Sequence, residues 1–306
     1  MDKKTKVYRQ LSESFSLLSG AARKSKFESI AKENSILYCL ARFGWLTSHQ
    51  IGALLYSNQR NQNEKARKVL KRMCDGGLVS TFLLKRSPAA QMRAWQLTRL
   101  GMRRLQAFPN LSNSLRITSV SSSIMDEKYC YHRLVTNQAL IDMHLKLNKL
   151  PFSCNSFITE HEQNSMRHAI VSEFGCLPDS LVFFGEEIVL VEIENSCRGI
   201  KRQFSKLTHF EESFIDRVHR EGNFSGHFLP MGSCGRYRDL RQLFVCTSEK
   251  NFRSIWRKVE KIMVNENQRI HRHIYYAIMP KQRWINPLKS CYVLEHNCKR
   301  SLAQLF

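Results

Sequence analysis

No two of the ten cysteines stand two residues apart, no apolar run approaches the length of a membrane span, and acidic side chains are few. The first absence argues against zinc ribbons and fingers, which need closely spaced thiolates. The second predicts no membrane insertion. A charged start, Met1 to Lys6, with no apolar h-region behind it predicts no signal peptide, hence a cytoplasmic protein with reduced, free cysteines. The third sets 26 Asp and Glu against 48 Lys and Arg, a formal net charge of +22. Such an imbalance favours a polyanionic partner over a small neutral substrate, and nucleic acid is the expectation.

The charge is unevenly spread. Residues 1–110 carry 21 of the basic residues and only 6 of the acidic ones, so the acids concentrate further along the chain. A solvated basic surface or an anionic lipid would also suit this half, but no strongly amphipathic basic helix with Trp or Leu opposite stands out. At 306 residues and 42% apolar content, the chain can bury one large core or two ordinary ones. Residues 108–123, with Pro109 and six serines, form the predicted linker between domains at 1–107 (core about 30–107) and 124–306.

In the first domain, Glu33 to Phe43 carries Ile36, Leu37, Leu40 and Ala41 at helical spacing, and Gly44 ends that helix. Thr47 is placed to cap a short second helix. Asn61 to Cys74 reads as a third helix with a basic face of Lys65, Arg67, Lys68, Lys71 and Arg72. Strand, turn and strand follow, with the turn near Pro88. Three helices and a β-ribbon are the order of a winged helix-turn-helix. The third helix would enter the major groove, and Lys85, Arg86 and Arg93 of the wing would reach phosphates or the minor groove.

Beyond the linker the order is α, β, β, β, α, β: a long helix over 125–147, strands near 157–159, 180–184 and 188–194, a helix over about 200–218 and a strand at 243–246, with a further helix and strand beyond. The hairpin "PDSLVFFGEEIVLVEIENS" turns between Gly185 and Glu186, so paired positions add to 371 and Asp179 faces Glu192. Alternation puts Glu192 and Glu194 on one face, Val191 and Ile193 on the other. Three carboxylates then converge at one hairpin end, an unfavourable arrangement unless a cation occupies it. A hard divalent ion with oxygen ligands, Mg²⁺ or Mn²⁺, would reverse the sign, and removing one carboxylate should relieve strain in its absence. Glu160 and Glu162 read as a solvated strand end with a lesser claim to ligation.

Pro178 and Asp179, thirteen residues before the "EIE" at Glu192, resemble the PD-(D/E)XK nuclease motif with Glu in the third position. The likeness widens over "LTRLGMRRL", "YHRLVTNQALIDMHL" and the hairpin. Across roughly residues 30–215 the chain resembles the plasmid replication-relaxation proteins and the MOBC class of conjugative relaxases. These join a winged helix to a divergent PD-(D/E)XK-like, restriction-endonuclease-like α/β domain. The resemblance implies a metal held by Asp179, Glu192 and Glu194, with Glu194 also a candidate base for water. It implies a lysine from the next helix, Lys206 or Lys201, beside the scissile phosphate, and a match of His132 to the family histidine. It also implies double-stranded DNA at an origin of transfer as substrate, with accessory mobilization proteins and a coupling protein as partners.

Two other readings stay open. "IHRHIYY" at 270–276 offers two histidines and the tyrosines Tyr275 and Tyr276 of a different relaxase chemistry, although Arg272 sits where a hydrophobic residue is wanted. Lack of a lysine at position 194 also suits a DNA-binding replication or transcription regulator whose nuclease-like domain is inactive.

Overall fold

The structure is a computed structural model and describes residues 24–56, 59–84, 92–108, 115, 127–147, 156–174, 177–184, 186–194, 212, 214–222, 237–266, 274–278, 290–293 and 298–300. The predicted linker lies almost entirely outside them. The chain divides into two compact units, Met1–Asn137 and Gln138–Phe306. No helix among the described residues is long and apolar enough to cross a membrane.

The first unit begins with α1 (Lys24–Phe43), β1 (Trp45–Thr47), α2 (Ser48–Leu55) and α3 (Gln62–Asp75). It continues with β2 (Val79–Leu84), β3 (Met92–Leu97) and α4 (Arg99–Gln106). Its three strands form an antiparallel sheet in the order β1-β3-β2. This is a winged-helix-like arrangement, and it extends the predicted order by β1, a run of three residues too short to show a period of its own.

Local chemistry fixes the junctions. Gly44, at a φ of 74°, turns the chain out of α1 while its N–H still bonds Leu40 O. Thr47 caps α2 as expected, accepting from Gln50 N, and the Gln50 side chain accepts in return from Thr47 N. At the far end, Thr98 Oγ1 accepts from Gly101 N at 3.1 Å and donates to Gly77 O at 2.6 Å. A Cβ on Gly101 would collide with the Leu78 carbonyl oxygen. The "LTRLG" stretch thus locks α4 against the start of β2.

The long helix α5 (Glu127–Leu147) begins inside this unit. Gln50 Nε2 donates to Leu134 O, and Asn137 Nδ2 donates to Phe43 O and Trp45 O at 3.1 and 2.7 Å. Asn137 is fully buried, so Asn137→Ala would leave two buried carbonyls short of a donor. The expected loss is about 1–3 kcal/mol, read as a lower midpoint in urea with an unchanged slope. Cys39, Cys130 and Cys246 are buried, and burial pushes the Cys39 thiol up to about 12, too high for thiolate chemistry near neutrality.

The second unit contains β4 (Phe157–Ile158), α6 (Glu160–Gln163), α7 (Arg167–Phe174), β5 (Ser180–Phe184) and β6 (Glu187–Glu194). After α8 (214–221) come β7 (Asp239–Cys246), α9 (Glu249–Glu266), β8 (Ile274–Ile278), β9 (Ser290–Val293) and β10 (Cys298–Arg300). The strands make one seven-stranded sheet, β10-β9-β8-β7-β6-β5-β4, parallel only at β6–β7 and β7–β8. The strands read from the sequence are present, but α6 and α7 interrupt the expected α-β-β-β-α-β order between β4 and β5, most of the helix expected over 200–218 lies outside the described residues, and β9 and β10 were not foreseen.

Strand β6 lies inside the sheet between β7 and β5, and its Ile188, Val189, Leu190 and Val191 are each fully buried. A continuous apolar run suits a strand covered on both faces. On one face, Leu181, Phe183, Ile188, Leu190 and Phe244 pack with Phe214 of α8 and with Phe252 and Ile255 of α9. Alternation places Asp179 and Glu192 on that same face, at the rim of the cluster.

Candidate nucleic-acid interface and carboxylate pair

Helix α3 buries Ala66, Leu70 and Met73 and exposes Lys65, Arg67, Lys68, Lys71 and Arg72. Its N-terminus is tied to α2 by side chains. Ser48 Oγ donates to Asn63 Oδ1 at 2.6 Å, and Asn63 Nδ2 lies 2.8 Å from His49 Nε2. Since Asn63 spends its oxygen on Ser48, its amide must donate to an unprotonated His49 nitrogen. Burial lowers the His49 pKa and so keeps that ring neutral. Close packing helps too: a Cβ on Gly52 would come within 3.0 Å of Gln62 O.

The basic residues differ in how freely they can meet a phosphate. Arg72 reaches Glu33 Oε1 at 2.8 Å and Ser29 Oγ at 2.9 Å, and Arg104 takes the other Glu33 oxygen at 2.7 Å. Glu33 therefore clamps α3 and α4 to α1, and Arg72 is engaged in the fold. Lys65 donates to Gln59, and Lys68 lies 3.0 Å from Glu64. The Lys68 hydrogen bond, and then its charge, hold the Glu64 carboxyl below its ordinary pKa. Both partners are solvated, so exchanging this pair for a phosphate costs little. Arg93 is exposed on β3, while Lys85 and Arg86 lie outside the described residues. Replacing Lys68 and Lys71 with Ala should weaken duplex binding and flatten the slope of log K against log salt by about 1–2, as fewer counterions are released. An unchanged slope in a filter-binding titration would remove α3 from the interface.

The carboxylates of the second unit take their places from the hairpin. Ser180 pairs with Val191 and Phe184 with Glu187, the register in which Asp179 faces Glu192. Pro178 is buried and brings no N–H, and Asp179 Oδ2 accepts from Ile193 N at 2.7 Å, extending the ladder by a side chain. The two acids at the turn differ in kind: Glu187 pairs with Arg241 at 2.6 Å and Glu186 sits 3.9 Å from Arg238. Acids at the closed end thus meet arginines, and those at the open end flank the edge of the core.

The hydrogen bond to Ile193 changes one expectation. Charge repulsion alone predicts that losing Asp179 relieves strain, but its carboxylate also holds two strands together. Glu162 differs too from its sequence reading as a solvated strand end. It is fully buried and closes a capping box with Thr159, each side chain accepting from the other's backbone N–H at 3.0 and 3.1 Å. The "TEHE" stretch carries that signal in its Thr-x-x-Glu spacing. Glu160 opens α6, half-buried.

Lys201 and Lys206 lie outside the described residues, as do the side chains of Glu194, Tyr275 and Tyr276. His132 belongs to the first unit, on the part of α5 where its carbonyl accepts from Thr136 Oγ1. Among the described residues no three of His, Cys, Asp and Glu are grouped to hold a metal. Asp179 and Glu192 supply oxygen donors alone. That suits a hard ion that takes one or two carboxylates and fills its remaining positions with water and phosphate.

A model of the replication-relaxation family matches residues 37–221, well over half of the chain. The chain belongs to the replication-relaxation family. The match runs from α1 through α8, so this replication-relaxation protein has β7, α9 and the last three strands beyond the family model. No curated protein matches it. Among solved structures, PadR from Bacillus subtilis in complex with operator DNA aligns at 15% identity and a TM-score of 0.23, covering 59% of this chain and 90% of that one. Likeness at that level bears on neither fold nor ligand.

Proposed function

We propose that this replication-relaxation protein is a DNA relaxase of the MOBC kind, which binds a plasmid or mobile-element origin of transfer and nicks one strand with the help of Mg²⁺ or Mn²⁺. The observation that carries the reading is Asp179 facing Glu192 at the open end of the hairpin, on a sheet where β4, β5 and β6 pair antiparallel and β7 adds parallel to β6. The first unit acts as a winged helix that finds the site through α3. Asp179 and Glu192 are the ligands for the ion, with Glu194 as third acid or as base toward the attacking water. When bound, the ion polarises the scissile phosphate and makes a nucleophile available near neutral pH. The chain's own task is placement: the Ile193 N–H fixes the Asp179 carboxylate, and Lys206 is assigned to the charge that develops on the phosphate. Accessory mobilization proteins and a coupling protein are the partners that fit this activity.

The bond from Ile193 N to Asp179 favours one other reading, because it gives that carboxylate a structural task. On this account the protein is a non-catalytic DNA-binding replication or transcription regulator. The test is incubation with supercoiled plasmid carrying the cognate origin, with and without Mg²⁺. Metal-dependent conversion to open circles supports the relaxase. Tight binding with no conversion under any divalent ion supports the regulator.

A further inference from the structure

Helix α9 lies beyond the family match, and its two sides differ sharply. Phe252 and Ile255 are buried against the sheet, while Lys250, Arg253 and Arg257 are exposed. The three basic residues stand at i, i+3 and i+7. At 3.6 residues per turn they fall within about 60° of one another around the axis and span about 10 Å along it. They line an open cleft of about 670 Å³ together with Glu249 and Ser254. Glu249, the one acid among the described lining residues, pairs with Arg253 at 2.7 Å between two well-exposed side chains, a contact of little net worth that a phosphate can replace.

Placement gives the cleft its meaning. Glu192 pairs with Phe244 in the parallel β6–β7 ladder, and β7 ends at Cys246, opposite Glu194. The first turn of α9 follows three residues later, so this helix leaves the sheet at the same end as the acidic residues and packs on the same face. Ligands of sheets with parallel strands gather at the carboxyl ends of those strands.

We propose that the Lys250, Arg253 and Arg257 ridge of α9 is a second DNA-contacting surface, which holds the sugar-phosphate backbone of a single strand beside the Asp179 and Glu192 end of the sheet. It rests on the reading of this chain as a DNA-acting protein and adds a contact that the winged helix does not supply. The ridge takes phosphates by charge, without base contacts, so its grip is independent of sequence and strongly dependent on salt.

The test uses the full chain in EDTA, so that no strand is cut, and a 30-nucleotide single-stranded oligonucleotide of arbitrary sequence followed by fluorescence anisotropy. Changing Lys250, Arg253 and Arg257 together to Ala should weaken binding by about tenfold or more near 0.1 M salt and flatten the salt slope by about 2. The double exchange Arg253→Lys with Arg257→Lys keeps the charge and should retain most of the affinity. All three side chains are exposed, so the melting curve should not move. Equal binding by the wild-type and triple-alanine proteins would overturn the ridge while leaving the relaxase reading intact. A wild-type protein that binds neither this strand nor origin duplex would overturn both.

Discussion

Asp179→Asn should leave the protein as stable as the wild type and reduce nicking of supercoiled DNA by roughly 100-fold or more, the scale on which loss of one preorganised electrostatic contact acts. Asparagine keeps a carbonyl oxygen where Asp179 Oδ2 accepts from Ile193 N, so the strands stay joined. It removes the negative charge that a divalent ion needs. Asp179→Ala removes both, leaving the Ile193 N–H short of its acceptor at a cost of about 1–2 kcal/mol. The pair of variants therefore separates the two roles of one side chain. Mg²⁺ or Mn²⁺ should raise the melting temperature of the wild type and not that of Asp179→Asn, since only a bound ion stabilises by mass action. Wild-type nicking by Asp179→Asn would exclude this carboxylate from the chemistry. Melting of Asp179→Asn as early as Asp179→Ala would contradict the hydrogen-bonding account.

The second large effect is expected far from any chemistry. Gly101→Ala places a methyl group onto the Leu78 carbonyl oxygen and within 2.8 Å of Leu97 Cδ1. A leucine side chain can rotate away, but the carbonyl belongs to the backbone where β2 begins and receives the Thr98 N–H. Helix α4 must move off the sheet, which costs at least about 2 kcal/mol and lowers the melting temperature of the first unit by roughly 5–15 °C. Gly76→Ala is the matched control. Its φ is ordinary and a Cβ there meets nothing closer than 3.5 Å, so it should melt with the wild type. Equal melting of the two variants would mean that α4 does not press on Leu78.

What the sequence made legible follows the range of the forces involved. The β5–β6 register was readable because a tight turn and a period of two leave no freedom once the turn is placed. The Thr47 cap and the Gly44 stop were readable for the same reason: each acts within four residues of itself. Arg72 was different. Its partner Glu33 lies on another helix, 39 positions earlier, and nothing local separates a lysine open to phosphate from an arginine bound to a distant acid. Strand β1 is three residues long and exists only because β3 lies alongside it. Glu162 shows a third kind of failure, because its capping signal was present in the letters but was read as a solvated acid.

The ties from α5 back to the helix-turn-helix also set an order of events during synthesis. Elements α1 to α4 have all been made once residue 106 is joined, yet the donor for Phe43 O and Trp45 O sits on Asn137, 31 residues later. At the usual pace of a ribosome that is about 2–6 s of elongation. During that interval the two carbonyls must be served by water, and the nascent unit is held less firmly than the finished one. A translational pause shortly before the Asn137 codon would prolong this exposure, while one placed after the segment has cleared the exit tunnel would not.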